Sequence, residues 1–219
     1  MPRAARIVVP GAPHHVTQRG NRREPIFFEP GDQAVYLRIL AAQARQRGVE
    51  IWAYCLMPNH VHLILTPGDL TGLASVVGET HRRYTSFVNG RAGWTGHLFQ
   101  SRYASVAMDE AHFLTAARYV ALNPVRARLV ARAEDWPWSS VHAHLGGADN
   151  DVVTVGPLLS RIERFADTLY GDSDEAAFAA IRSAEVSGLP LGDEDFIAAI
   201  KAVLGVGPRG QFKMSQGTP

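Results

Sequence analysis

The 219 residues contain one cysteine, two lysines and no apolar run of membrane length. A single cysteine, Cys55, excludes an internal disulfide and suits a reducing compartment. It lies in an apolar, strand-like stretch and reads as buried filler. Without about 18 consecutive apolar residues, no transmembrane helix is expected. The first residues, Met1-Pro2-Arg3-Ala4-Ala5-Arg6, lack the long apolar segment of a secretory signal, so a cytoplasmic location is expected. The scarcity of lysine makes the basic residues almost all arginine, and these are unevenly placed. Residues 1–132 hold 16 Arg against 8 Asp plus Glu, a charge of +8, whereas residues 133–219 hold 6 basic and 13 acidic residues, a charge of −7. Arginine suits bidentate phosphate contacts and stacking. A basic first part and an acidic appendage therefore point to a polyanionic partner and not to a membrane.

Period and punctuation predict the elements of the first part. His14–Gln18 reads as a strand, closed by the turn-forming, triply basic Arg19-Gly20-Asn21-Arg22-Arg23. Asp32 is placed to cap a helix that Gly48 stops. Val49–Leu56 alternates as a strand, and the turn Met57-Pro58-Asn59 returns it into His60–Thr66 as a hairpin. Asp69 is placed to cap a second helix, over 70–89, and a strand follows near Ala104. Asp109-Glu110 opens a third helix, expected to end at Asn123 because a residue before proline disfavours the helical region. The order β-α-β-β-α-β-α predicts an α+β, ferredoxin-like sandwich, an antiparallel sheet with helices.

His60-Val61-His62-Leu63-Ile64-Leu65 alternates along its strand. His60, His62 and Ile64 share one face; Val61, Leu63 and Leu65 share the other. Two imidazoles roughly 6–7 Å apart at their roots can close on one metal ion, although a half-buried strand accounts equally for such a pair taken alone. On the third helix Tyr119 and Asn123, four residues apart, project from one face. By themselves they suit a plain helix–sheet contact. Taken with the histidines, Asn123 offers an oxygen ligand and Tyr119 a nucleophile.

The chain resembles the HUH single-strand DNA transposases and, within them, the REP-associated tyrosine (IS200-like) transposases. The likeness covers approximately residues 12–145. It rests on His15-Val16-Thr17-Gln18-Arg19-Gly20-Asn21-Arg22, Ala53–His62, Gly96–Tyr103, Tyr119–Ala127 and Trp136-Pro137-Trp138-Ser139-Ser140. The resemblance implies that His60, His62 and Asn123 hold Mg²⁺ or Mn²⁺ and that Tyr119 is the catalytic tyrosine. It implies nicking and rejoining of single-stranded or hairpin DNA at palindromic repeats through a 5′-phosphotyrosine. The imidazole-rich set also suits Zn²⁺.

Arg19, Arg22, Arg23, Arg82, Arg83, Arg102 and Arg126 are the expected phosphate contacts, with Trp94 and Phe99 as stacking groups, Phe99 being the better suited to core packing. The expected division is a transposase/nuclease domain over 1–145 and an acidic helical region over 146–219. In that region Leu158–Tyr170, Asp174–Val186 and Asp193–Leu204 have helical spacing. The last two helices resemble a helix-turn-helix without a basic recognition face, and a cover for the basic face is an equal use for them. The tail Gly207–Lys213 is only mildly basic. A monomer or a homodimer fits the sequence. Two other functions remain open: a domesticated repeat-DNA binder with little transposition, and a metallohydrolase that activates water and has no need of Tyr119.

Overall fold

The computed structural model describes residues 6–171 and 174–205; the tail 207–213 lies outside them. Four strands, β1 (His14–Arg19), β2 (Val49–Met57), β3 (His60–Pro67) and β4 (Ala104–Ala107), form one sheet in the order β2-β3-β1-β4. Every neighbouring pair is antiparallel. With α1 (Asp32–Arg47) and α2 (Gly72–Ala92) on one face, this is the expected α+β sandwich. The third helix, α3 (Glu110–Arg126), packs on the other face. Among the described residues no helix is long and apolar enough to cross a membrane.

Period-2 alternation sorts the central hairpin between two cores. Val61, Leu63 and Leu65 pack with the α1/α2 layer, in a cluster with Tyr36, Leu40, Val77 and Tyr84. Ile64 joins Cys55, Val106, Phe113 and Val120 on the opposite side, so Cys55 is buried filler. The histidines of β3 therefore face α3.

Three local details differ from the sequence reading. Asp32 does not cap α1. Gly31 precedes the helix at φ 94°, and the Asp32 carboxylate turns back to accept from Phe28 N–H at 2.8 Å and Glu29 N–H at 3.0 Å. It also takes a bidentate pair from Arg91 on α2, at 2.6 and 3.0 Å. α2 runs to Ala92, through Gly90, because Gly93 at φ 66° closes it. α3 continues past Asn123 with Pro124 inside its last turn, where Ala127 N–H still bonds the Asn123 carbonyl. A proline near a helix end forfeits one backbone bond without breaking the element in two. Burial pushes the Asp32 carboxyl up, yet Arg91 and the two backbone donors hold it below the usual range. Removing the carboxylate leaves the Phe28 and Glu29 N–H groups without their acceptor, whereas the part-exposed Arg91 keeps Glu29 and solvent. Asp32→Ala is accordingly expected to cost roughly 2 kcal/mol and to lower Tm by about 6 °C in a thermal melt; an unchanged Tm would contradict this account.

Both sheet edges are occupied. Along β2, Leu56 N–H bonds the Trp138 carbonyl and Ser140 N–H bonds Tyr54, so Trp136–Ser140 packs back on the sheet. Along β4, Leu191 exchanges backbone bonds with Ala107 and Asp109. After α4 (Val141–Gly146), the acidic region holds α5 (Gly156–Leu159) and α6 (Phe165–Tyr170), two short helices where the spacing predicted one over Leu158–Tyr170, then α7 (Glu175–Ser187) and α8 (Glu194–Val203). Asp174 and Asp193 cap the last two by accepting from Ala177 and Phe196 N–H. Phe165, Leu169, Phe178, Ile181 and Ala184 from this region join the cluster on the histidine face. α7 thus turns its apolar side inward onto α3 and β4.

Candidate active site

The site is built at the start of β3. Met57-Pro58-Asn59 turns β2 into β3, so His60 pairs with Arg19 on β1 and His62 pairs with Thr17. Partners across an antiparallel ladder share a face, which brings His15, Thr17 and Arg19 to the side of His60 and His62. Gly20 lets the basic loop close here. Its N–H bonds the Asn59 carbonyl at 2.8 Å, and a Cβ on it would stand 2.3 Å from the Glu24 carbonyl oxygen.

Hydrogen bonds orient the His60 imidazole. The Asn59 amide NH₂ donates to the Arg23 carbonyl at 2.9 Å, which turns Asn59 Oδ1 towards His60 Nδ1 at 2.7 Å. An amide oxygen only accepts, so His60 carries its proton on Nδ1 and presents a lone pair at Nε2. His62 Nδ1 shares a 3.0 Å hydrogen bond with His15 Nε2 on β1, while His62 Nε2 is buried with no partner. The His60 and His62 rings stand 4.8 Å apart. Burial first, then the Arg19 charge, lowers His60 to about 4; burial lowers His15 to about 3. His62 is pushed well down by burial, then by His60, His15 and Arg19. All three are neutral near pH 7, the form a metal requires.

α3 brings Tyr119 over these rings, 5.7 Å from His62 and 6.0 Å from His15, both edge-on. Tyr119 is only 6% exposed, because Phe178 of α7 lies against it at 5.3 Å. Burial, then the Glu185 carboxylate, raises the phenol above its usual value; Arg182, Arg126 and Asn123 act in the opposite sense. Asn123 follows one turn later. Its NH₂ donates to the Tyr119 carbonyl at 3.0 Å, which leaves the amide oxygen for another partner.

Glu185, near the end of α7, approaches His15 Nδ1 to 3.6 Å. His15, His62 and Glu185 form a group whose ligand atoms lie within 4.8 Å of one another, close enough to hold one divalent ion. His15 and Glu185 had no place in the sequence-level site. The alternation of β1, which aligns His15 with Thr17 and Arg19, was the available signal for His15. Nothing in the local sequence signals Glu185.

A cleft of ≈ 480 Å³ opens beside the histidines, lined by His60, His62, Arg19, Arg23, Arg102 and Glu185. Arg22 sits with Arg23 in the same loop, both at positive φ. Arg82 and Arg83 both hold Glu79 on α2, and Arg82 also lines a second groove that carries Trp94 and Arg102. Arg126 is paired with Glu175 of α7 and lies over Phe178 at 4.9 Å. Phe99 stacks on the half-buried His81 at 4.1 Å and packs in the core.

A four-stranded antiparallel sheet whose histidine face is crossed by a tyrosine-bearing helix defines a compact class of α+β proteins. The family described as "Transposase IS200 like" matches residues 9–123, more than half of the chain, and the protein belongs to that family. A REP-associated tyrosine transposase solved bound to a REP hairpin shares the fold, at 22% identity over 70% of this chain and 92% of that one, with a TM-score of 0.54. A candidate transposase from Deinococcus radiodurans R1 is 23% identical over 54% of this chain and 95% of its own, with a TM-score of 0.38. No curated protein matches the chain.

Proposed function

We propose that this transposase is a divalent-metal-dependent nuclease that opens and rejoins single-stranded DNA at palindromic hairpins through Tyr119. The observation that carries this reading is the meeting of Tyr119 with His62, 5.7 Å apart, beside a cleft walled by arginines. In this reading residues 1–145 form the catalytic domain and 146–219 an acidic helical region whose α7 covers the histidine face. The fit of a metal rests on His62 Nε2, buried and unpartnered, and on His60 Nε2, left bare by Asn59. His60, His62 and the Asn123 amide oxygen would hold Mg²⁺ or Mn²⁺. When bound, the ion would draw charge from a non-bridging phosphate oxygen.

The chain's own residues supply the remaining steps. Arg19, Arg22, Arg23 and Arg102 meet the phosphates, so binding weakens with salt. The Tyr119 oxygen bonds to phosphorus as the bond to the 3′ oxygen breaks, and the phenolic proton ends on that oxygen. The products are a 5′-phosphotyrosine and a 3′-hydroxyl; the reverse step rejoins strands without ATP. Arg182 and Arg126 favour the phenolate. Strand entry requires Phe178 to leave the Tyr119 ring. The hairpin on the solved relative supports this form of DNA as substrate.

The test is a labelled single-stranded hairpin incubated with Mn²⁺, Mg²⁺ or EDTA and run under denaturing conditions. A denaturant-resistant protein–DNA adduct is expected with metal and not with EDTA. Tight binding without cleavage would replace this reading with the repeat-DNA binder, and cleavage without an adduct with the metallohydrolase.

A further inference from the structure

The hydrogen bond between His15 Nε2 and His62 Nδ1 contains one proton, and its position decides whether His62 can take a metal. If His62 Nδ1–H donates, His62 Nε2 keeps a bare lone pair, and the neutral His15 carries its proton on Nδ1. If His15 Nε2–H donates instead, His62 Nε2 is protonated and closed to a metal, and His15 Nδ1 is bare. His15 Nδ1 faces Glu185 Oε1 at 3.6 Å, and both atoms are buried with no other partner. A carboxylate tolerates an N–H there and is repelled by a lone pair. The separation is longer than a hydrogen bond, so the carboxylate acts on His15 Nδ1 through the negative charge on its oxygen.

We propose that Glu185 and His15 act as a positioning relay, carboxylate to imidazole to imidazole, that holds His62 in the tautomer whose Nε2 is free to bind the metal. His60 receives the same service from Asn59 at shorter range. Carboxylate–histidine pairs behind a metal ligand fix its tautomer and raise its basicity. Here the carboxylate arrives from α7, 123 positions after His62 in the chain. The proposal rests on His62 being a metal ligand. It concerns the DNA-free protein, in which α7 is docked and the site loads its ion.

The test reads the tautomers directly, by long-range ¹H–¹⁵N NMR of the histidine rings in metal-free, DNA-free full-length protein. A pH of 8.5 keeps Glu185 ionised, since burial pushes it up to about 7. Wild type is expected to show His62 protonated on Nδ1. Glu185→Ala is expected to shift His62 towards the Nε2–H form and to weaken Mn²⁺ binding, followed by calorimetry, by 10–100-fold. Glu185→Gln still offers an accepting oxygen to His15 and should retain the wild-type tautomer, with Mn²⁺ affinity within a few-fold. A wild-type His62 protonated on Nε2, or a tautomer unmoved by Glu185→Ala, overturns the relay. Equal affinity losses in Ala and Gln with the wild-type tautomer retained also overturn it, because they identify Glu185 as a direct ligand. If the tautomer and affinity shifts occur but wild type forms no DNA adduct, the relay stands and the nuclease reading fails.

Discussion

Tyr119→Phe is expected to abolish the covalent DNA adduct and to lower strand cleavage by on the order of 10³-fold or more. The substitution removes one oxygen and leaves the ring. The ring makes the contacts that hold this part of the structure, to Phe178 at 5.3 Å, His62 at 5.7 Å and His15 at 6.0 Å, with the Arg126 guanidinium 5.9 Å above it. Stability should therefore change by less than about 1 kcal/mol, as for other swaps that conserve volume. Hairpin affinity should also hold, since the arginines proposed to meet phosphate are untouched. Loss of chemistry with retained fold and binding is the signature of a removed nucleophile. Cleavage that persists in Tyr119→Phe would assign the reaction to activated water.

A second large effect is expected from acid. Metal-free protein should lose its fold between about pH 6 and pH 4, a decline that begins above the range in which ordinary carboxylates protonate. Burial lowers His14 and His60 to about 4 and His15 and His81 to about 3, and pushes His62 well below its ordinary value. In the unfolded chain each returns to about 6.5. For a lowered pKa, stability is complete above the unfolded value and is lost as pH falls below it, because only the unfolded chain takes up the proton. Each such histidine removes about 1.4 kcal/mol per pH unit in that window. Five acting over two units amount to at most about 14 kcal/mol, comparable with the roughly 5–15 kcal/mol that a domain possesses. Glu185 acts in the opposite sense: its raised pKa is a cost that disappears as pH falls, but it is one group against five. Circular dichroism melts from pH 8 to pH 4 test this, and a Tm that stays level down to pH 5 would refute it. His81→Gln, away from the nuclease site, should make the decline shallower by about one proton.

Much of the architecture could be read from the chain because it depends on local geometry. Alternation along a strand is set by the backbone, so the division of His60, His62 and Ile64 from Val61, Leu63 and Leu65 was visible before any packing was known. Helical spacing likewise placed Tyr119 and Asn123 on one face, and α3 opens at Asp109-Glu110 as read, with Asp109 accepting from His112 N–H. Local rules failed where a neighbour changed the outcome. Asp32 serves Arg91 from another helix instead of its own first turn, and α3 carries Pro124 within its final turn.

What the sequence alone determined was the order of elements, the two faces of the sheet and the placement of His60 and His62 on one strand face and of Tyr119 and Asn123 on one helix face. Tertiary structure alone decided which groups stand around them. Strand order β2-β3-β1-β4 sets His15 beside His62, although 47 positions separate them. The packing of an acidic helix more than a hundred residues further on brings Phe178 over Tyr119 and Glu185 to His15. The physical reason is range: residue periodicity reports which side of its own element a side chain takes. Which element covers that side depends on burying apolar surface from distant parts of the chain, and α7 buries Phe178, Ile181 and Ala184 on the histidine face.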